Sequence, residues 1–242
     1  MTAPVKQSHR LQDYEDEARR AFREQTEEKI MEACPAGTQR TITLCSFNAI
    51  VLERPDVRIF NELLVLYPIA GTDQLQRVTP DNMVVLSTNP IANATMSSYN
   101  IPLEPASPFL MLEYVSVRHE RKDHELNMRR YEQDLCVPYY LLFHFENQEL
   151  ILVRLQSDHY VPVVPDSHGR LSIPELDLQV GLLDGWMRFW FCGELLALPA
   201  QLRQELREVR AELTTARLQV QDLQRQLDAL RQQLGQTPPE SQ

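Results

Sequence analysis

The chain of 242 residues is predicted to form a mixed α/β domain, a β-sheet covered by few helices, between an N-terminal amphipathic helix and a C-terminal coiled coil. Three observations predict this fold. Short runs rich in Val, Ile, Leu, Tyr and Phe alternate with polar or proline-containing segments between residues 38 and 199, which is typical of strands and their connections. One helical segment interrupts these runs, and an unbroken heptad repeat follows them.

The N-terminal segment, residues 1–37, is predicted to be an amphipathic helix. Apolar side chains recur there at helical spacing among charged ones, and these are Leu11, Tyr14, Ala18, Ala21 and Phe22. The CPAG stretch at Cys34–Gly37 contains Pro and Gly, which interrupt helices. We therefore expect this helix to end there.

Residues 38–199 are predicted to form the α/β domain, because they hold six strand-like runs and one helix of about three turns. The helix is the segment DHELNMRRYEQDL, residues 123–135. The segment FENQE, residues 145–149, is predicted to be a tight connection between two antiparallel strands. The predicted strands are Thr41–Phe47, Leu63–Tyr67, Met83–Ser87, Phe109–Ser116, Tyr139–Phe145 and Glu149–Leu155.

Residues 200–235 are predicted to form a parallel coiled coil that joins two copies of the chain, and residues 236–242 a disordered tail. Apolar residues are spaced alternately by four and three along Leu202–Leu234, which is the a/d pattern of a coiled coil. A parallel pair sets Glu205 opposite Arg210 of the partner subunit, whereas an antiparallel pair sets arginine against arginine. The alternative is an amphipathic helix that folds back onto its own domain.

The sequence argues against several classes of protein. The longest apolar runs are too short to cross a bilayer, and the first 30 residues hold no apolar stretch of the kind that a secretory signal needs. Four cysteines lie far apart without metal-ligand spacing, which favours free thiols in a reducing compartment; they are Cys34, Cys45, Cys136 and Cys192. We therefore expect a cytoplasmic protein without membrane contact.

The net charge of −10 is concentrated in the predicted domain, since residues 34–198 carry 12 basic and 20 acidic side chains. Such acidity is unusual for a protein that binds nucleic acid. Solubility explains most of these charges. A second explanation is that some of the carboxylates surround a divalent cation.

Two acidic residues are the candidates for chemistry. The sequence has no GxxxxGK[ST] or GxGxxG loop, so we predict no nucleotide cofactor, and it has no GxSxG nucleophile motif. Asp81 precedes the strand NMVVL and Glu113 lies inside the apolar strand FLMLEYVS, where a carboxylate is costly unless it is paired or bound to a metal. If these strands are neighbours, both carboxylates can share one Mg²⁺. Alternation leaves a second orientation open, with Glu113 facing solvent while Leu112 and Tyr114 face inward.

The segments PDNMVVL, LEYVS and RRYEQDLCVPYYLLF resemble the Uma2 family of endonucleases. The resemblance covers Asn48 to Pro199 and implies the restriction-endonuclease-like, PD-(D/E)xK fold, a mixed β-sheet flanked by helices. It also implies that Asp81 and Glu113 bind the catalytic metal. In this family a lysine on the helix after the second acid replaces the usual strand lysine, and Asn127 stands at that position here.

The resemblance suggests substitutes for the missing lysine. Lys122 is the only lysine of the predicted domain, although a solvated surface charge is the alternative interpretation. Arg129 and Arg130 lie on the same predicted helix, and arginine is a good phosphate ligand but a poor base. Many relatives also carry a glutamate in a YELIDG-like segment, for which Glu53 in VLERPD and Glu62 in FNELLV are only loose counterparts.

These observations predict a Mg²⁺-dependent or Mn²⁺-dependent DNA endonuclease that works as a homodimer through Leu202–Leu234. The replacement of the lysine by Asn127 and the acidity of the domain favour an alternative, a non-catalytic protein of the same fold that binds nucleic acid or a partner protein. A third hypothesis makes the coiled coil the working part and the domain its scaffold.

Overall fold

A computed structural model gives the arrangement of most of the chain. The residues that it describes are Asp13, Asp16, 34–69, 74–88, 97–115 and 122–235. The chain divides into two compact units, residues 1–196 and 197–242. Within the described ranges, no helix is both long and apolar enough to cross a bilayer.

The described part of the first unit holds thirteen strands. Helix α1 (Cys34–Glu53) precedes them, and helix α2 (Lys122–Arg129) continues into a π-helical turn (Arg130–Asp134). In chain order the strands are β1 (Val57–Asn61), β2 (Leu64–Pro68), β3 (Leu75–Val78), β4 (Asn82–Leu86), β5 (Ser98–Asn100), β6 (Pro108–Val115), β7 (Tyr139–His144), β8 (Glu149–Gln156), β9 (His159–Pro162), β10 (Leu171–Ile173), β11 (Leu178–Leu183), β12 (Trp186–Phe191) and β13 (Glu194–Leu195).

These strands form a mixed main sheet and two smaller sheets. The main sheet has the order β1–β4–β6–β7–β8–β9, and its neighbours are antiparallel except for the parallel pair β6 and β7. A parallel pair needs a crossover connection, and α2 lies in it. The smaller sheets have the orders β10–β11–β12–β13 and β3–β2–β5. A mixed sheet flanked by helices confirms the predicted α/β class.

Both faces of the main sheet are buried. On one face, Leu112 of β6 shares a core with Phe47 of α1 and Phe189 of β12. On the opposite face, Met111 of β6 shares a core with Tyr131 of the π-helical turn. Any polar side chain of β6 therefore lies in a protein environment and needs a hydrogen-bond partner there.

The predicted strand at Thr41–Phe47 is wrong, because these residues lie inside α1. The CPAG stretch, Cys34–Gly37, begins this helix, where we expected a helix to end; proline is tolerated in a first helical turn. Half of the buried side chains are polar, which hid their helical spacing. They are Gln39, Ile42, Thr43, Ser46, Phe47 and Ile50.

The other five predicted strands are confirmed to within one residue at each end, as β2, β4, β6, β7 and β8. The antiparallel connection at residues 145–149 is also confirmed, since β7 and β8 pair antiparallel around it. The predicted helix at residues 123–135 corresponds to α2 and the π-helical turn. The predicted N-terminal helix lies outside the described residues apart from Asp13 and Asp16, which are helical, and the residues from Cys34 onward.

The second unit contains one long described helix, α3 (Pro199–Gly235), of 37 residues and about 55 Å. Between Leu202 and Leu230, the large apolar side chains of the predicted a/d seam are exposed, from 48% for Leu227 to 62% for Leu223. The helix is confirmed, and its pairing into a coiled coil stays a prediction. The predicted tail, residues 236–242, lies outside the described residues.

Candidate active site

The pairing of β4 with β6 brings Asp81 and Glu113 together. The register sets Asn82 opposite Leu112, so Asp81, one residue before β4, lies beside Glu113. The backbone N–H of Asp81 donates to Glu113 Oε2 at 3.1 Å, and the backbone N–H of Tyr114 donates to Asp81 Oδ2 at 2.8 Å. We call Asp81 and Glu113 the acid pair.

The carboxyl group of Glu113 is enclosed by protein, although the residue as a whole keeps partial exposure. It lies on the side of β6 that Tyr131 covers, and the Tyr131 hydroxyl donates to Glu113 Oε1 at 2.7 Å. Burial, followed by the nearby Asp81 carboxylate, raises the pKa of Glu113 well above its usual value, although the hydrogen bonds from Tyr131 and the Asp81 backbone act in the opposite direction. Glu113 therefore does not adopt the solvent-facing orientation that alternation left open.

Arg40 of α1 supplies a positive charge next to the acid pair. Its Nη2 lies 2.7 Å from Asp81 Oδ1, and its Nη1 lies 3.0 Å from Glu62 Oε1. The guanidinium carbon also lies 5.7 Å from the centre of the Tyr114 ring, within cation–π range. One arginine thus connects α1, the β1–β2 connection and the start of β4.

Glu62 is held in an uncommon backbone conformation beside Asp81. Its φ is +47°, in the left-handed region that non-glycine residues rarely adopt. Its backbone N–H donates to the Asp81 carbonyl oxygen at 3.1 Å. This bond continues the β1–β4 ladder by one step and places the Glu62 side chain where Arg40 contacts it.

Tyr114 fixes α1 to the site from the other face of β6. Its hydroxyl lies 2.8 Å from Thr43 Oγ1 and 3.1 Å from Asn82 Oδ1. Because Arg40 and Thr43 are one helical turn apart on α1, this contact also restrains the position of Arg40.

The donor set of the acid pair fits a divalent cation. Carboxylate oxygens are the ligands that Mg²⁺ prefers, and Mg²⁺ commonly uses one or two carboxylates. The described residues contain no group of three or more His, Cys, Asp or Glu side chains that could hold a metal, so water and substrate oxygens would complete the coordination. A cation would also offset the repulsion between the two carboxyl groups.

The other predicted site residues lie on α2 and the π-helical turn. Asn127 is half-buried, Arg129 is exposed and donates from Nε to Gln133 Oε1 at 3.1 Å, and Arg130 is half-buried at the start of the turn. In the described part of the chain, no hydrogen bond or ion pair joins these three side chains to the acid pair. Lys122 is the first residue of α2.

Sequence reasoning missed Arg40 and Tyr131 as site residues. Arg40 directly precedes the predicted strand Thr41–Phe47, and nothing in the sequence pattern places it near Asp81. Tyr131 follows the two candidate arginines on the predicted helix, and a tyrosine about two turns along a mainly charged segment is the available signal. Glu62 was noted only as a loose counterpart of a family glutamate, and it lies one residue beyond β1, next to Asp81.

A mixed sheet that holds two adjacent carboxylates, one of them enclosed, defines an α/β protein with an acidic candidate active site. The family described as "Uma2: Putative restriction endonuclease" matches residues 12–184, and the chain belongs to this family. The resemblance is thereby confirmed, but its extent is corrected: the match begins before Asn48, so that it includes α1 and Arg40, and it ends before Pro199.

Comparison with solved structures gives a similar chain in the "Crystal structure of a putative nuclease belonging to DUF820 from Anabaena variabilis ATCC 29413". The two are 14% identical with a TM-score of 0.45, over 60% of this chain and 75% of the other. No curated protein matches this chain.

Proposed function

We propose that this Uma2-family chain is a divalent-metal-dependent endonuclease that hydrolyses phosphodiester bonds in DNA, with Asp81 and Glu113 as the metal ligands. The observation that carries the proposal is the mutual placement of the two carboxyl groups. Glu113 accepts a hydrogen bond from the backbone N–H of Asp81, and Asp81 accepts one from the backbone N–H of Tyr114, the residue after Glu113. Keeping a carboxyl group as enclosed as that of Glu113 beside a second one costs free energy. Such costly arrangements are concentrated at functional sites.

Bound there, Mg²⁺ or Mn²⁺ would polarise a phosphoryl oxygen and lower the pKa of an attacking water. The side chains of the chain itself hold the site in place. Tyr131 and the Asp81 backbone fix the two oxygens of Glu113, and Tyr114 and Arg40 fix those of Asp81. This preorganisation reduces the cost of ordering the site when substrate binds.

Positive charge for the phosphate is proposed to come from two directions. Arg129 and Arg130 are candidates for phosphate binding from the side of α2, where Lys122 begins the helix and Asn127 can donate a hydrogen bond without charge. Arg40 is the candidate on the side of α1, because it already contacts the acid pair. A guanidinium stabilises charge on phosphate oxygens without moving a proton.

Plasmid nicking in Mg²⁺ or Mn²⁺ tests this function. Asp81→Asn and Glu113→Gln should each reduce the nicking rate at least about 100-fold, since each removes a proposed metal ligand. Two control variants make the same chemical changes at positions away from the site. Asp56 also pairs with an arginine at 2.8 Å, and Glu175 also accepts a tyrosine hydroxyl at 2.8 Å, so Asp56→Asn and Glu175→Gln should nick like the wild type. Equal rates in all five proteins, or no nicking by the wild type, contradict the proposal.

A second candidate function is supported by one contact. Because the Arg40 guanidinium already neutralises Asp81, the site is also compatible with a metal-free protein that binds nucleic acid or a partner without cutting. Fluorescence anisotropy of labelled duplex DNA, in EDTA and in Mg²⁺, separates the two candidates. Binding that is unaffected by metal, in a protein that does not nick, favours this second function.

We also propose that α3 joins two copies of the chain in a parallel coiled coil. Its exposed a/d seam supports this proposal, and so does charge complementarity, because Glu205 and Glu212 face Arg210 and Arg217 of the partner subunit in a parallel pair. A dimer would place two sites on one duplex.

Light scattering on the full chain tests the dimer. The double variant Leu213→Glu/Leu227→Glu puts charges at two a positions and should be monomeric at micromolar concentration, because charges there cannot be buried. Leu218→Glu is the matched control, since Leu218 is 62% exposed but lies outside the seam. A monomeric wild type, or a double variant that stays dimeric, refutes the coiled coil.

A cytoplasmic location is proposed from the cysteines. Cys45, Cys136 and Cys192 are free thiols, and two of them, Cys136 and Cys192, are exposed. Exposed free thiols persist in reducing compartments and oxidise elsewhere.

A further inference from the structure

Arg40 occupies an oxygen that a metal ion at the acid pair would need. All four carboxyl oxygens of the pair already accept a hydrogen bond: Glu113 Oε1 from Tyr131, Glu113 Oε2 from the Asp81 backbone, Asp81 Oδ2 from the Tyr114 backbone, and Asp81 Oδ1 from Arg40. Three of these donors are neutral. Only the Arg40 guanidinium is a cation, and like charges on one oxygen repel each other.

Arg40 is also the more accessible of the two side chains that donate hydrogen bonds to the acid pair. The Arg40 side chain is 25% exposed, whereas Tyr131 is 0% exposed. The Tyr114 N–H belongs to the β6 backbone and Tyr131 is fully buried, so neither can leave without disturbing the core. Arg40 is therefore the donor that an arriving cation can displace at the lowest cost.

Glu62 offers Arg40 a second acceptor after such a displacement. Its Oε1 holds the other guanidinium nitrogen at 3.0 Å, and its side chain is 32% exposed, which leaves room for movement. Its left-handed backbone keeps it next to Asp81, and backbone conformations of this kind persist where the surroundings enforce them.

We propose that Arg40 is the resident counter-ion of the acid pair, that a divalent cation has to displace it from Asp81 Oδ1, and that Glu62 retains it beside the site. This inference rests on the proposed metal-dependent function. It makes Arg40 a positioning residue that lowers metal affinity and keeps the pair ordered in the absence of metal. Of the basic side chains in the described ranges, Arg40 alone forms an ion pair with the acid pair.

Calorimetric titration of Mn²⁺ into the full-length wild type, Arg40→Gln and Arg54→Gln tests the competition. Removal of the competing cation should tighten Mn²⁺ binding at least about tenfold in Arg40→Gln. Arg54→Gln is the matched control, because Arg54 is 26% exposed and pairs with Asp56 at 2.8 Å, away from the acid pair; it should bind Mn²⁺ like the wild type. If Arg40→Gln does not fold, Arg40→Lys keeps the charge but not the two-pronged contact, and it should bind Mn²⁺ at least about threefold more tightly than the wild type.

A second measurement separates displacement from a general effect of charge. In the NMR spectrum of the wild type, Mg²⁺ should shift the side-chain N–H signals of Arg40 and accelerate their exchange, while those of Arg54 stay unchanged. Unmoved Arg40 signals in a protein that binds metal overturn the inference.

The titrations also distinguish the inference from the proposed function. Equal Mn²⁺ affinities in the wild type and Arg40→Gln overturn the inference and leave metal binding intact. If Arg40→Gln binds Mn²⁺ and the wild type does not, the inference is supported and the proposed metal dependence of the wild type is contradicted. Absence of binding in both proteins overturns both.

Discussion

Two arginines of nearly equal exposure, Arg40 within α1 and Arg54 just after it, form ion pairs of different kinds. Arg54 binds Asp56, two residues further along the chain, through two bonds of 2.9 and 2.8 Å, with longer contacts of 3.4 Å to the Glu175 carbonyl oxygen and 3.5 Å to Asp177. Arg40 instead divides its two short ion pairs between the carboxylates of Glu62 and Asp81. The first arginine thus has one close carboxylate partner, in the turn between α1 and β1, and the second joins two carboxylates from separate parts of the sheet.

The two regions also differ in how well their charges are balanced. Arg54 lowers the pKa of Asp56 through its hydrogen bond, so the ionised form of this carboxyl group is more stable here than in water. At the other region, burial and Asp81 raise the pKa of Glu113, and one guanidinium faces three acidic residues. An ion pair is therefore a stronger candidate for a functional site when its surroundings leave unbalanced charge.

The largest expected difference between the regions is in stability. Without metal, Arg40→Gln should lower the free energy of unfolding by about 2 kcal/mol, because it leaves partly buried carboxylates without their counter-ion. Arg54→Gln should cost less, about 1 kcal/mol, because its carboxylate partners Asp56 and Asp177 are 32% and 63% exposed and keep more of their hydration than Asp81 does at 16%. Urea denaturation of both variants and the wild type, in EDTA at pH 7, measures the two losses.

Equal losses in the two variants would remove the distinction between the pairs. A loss confined to Arg54→Gln would reverse it, and Arg40 would then be a dispensable surface contact. Adding saturating Mn²⁺ extends the experiment, since a ligand of the native state stabilises it; the deficit of Arg40→Gln should shrink in Mn²⁺ and that of Arg54→Gln should not.

Glu113 could be singled out from the sequence because its position conflicts with its surroundings, whereas Asp81 stands out only as the acid that directly precedes the strand NMVVL. A glutamate inside FLMLEYVS stands out among apolar residues, and burial without a partner is costly. Arg40 carries no such signal, because an arginine in a mixed polar segment is ordinary on a surface. Its role depends on the packing of α1 against β1 and β12, which brings Arg40 to Asp81 and which no local pattern specifies.

The same limit explains the misassigned fold elements. Thr41–Phe47 is rich in residues that favour strands, but it is helical and packs on a sheet: Phe47 shares a core with Phe189, and Gln39 bonds both backbone groups of Met187 at 3.0 Å. These contacts join residues that are far apart in the chain. By contrast, the positions of β6 and β7 are predictable from the sequence, because strands buried on both faces consist of nearly continuous apolar residues.

The smallest expected effect concerns the pH dependence of the Arg54–Asp56 pair. The folded-state pKa of Asp56 is lowered, so its stabilising contribution is complete above the unfolded value of about 3.9 and is lost as the pH falls through the folded value. Asp56→Asn should therefore cost about 0.5 kcal/mol at pH 7 and nothing in strong acid. Urea denaturation at several pH values measures this difference. A cost that persists in acid would mean that Asp56 acts through shape and hydrogen bonding alone, and the contrast with the acid pair would then rest on packing and not on charge.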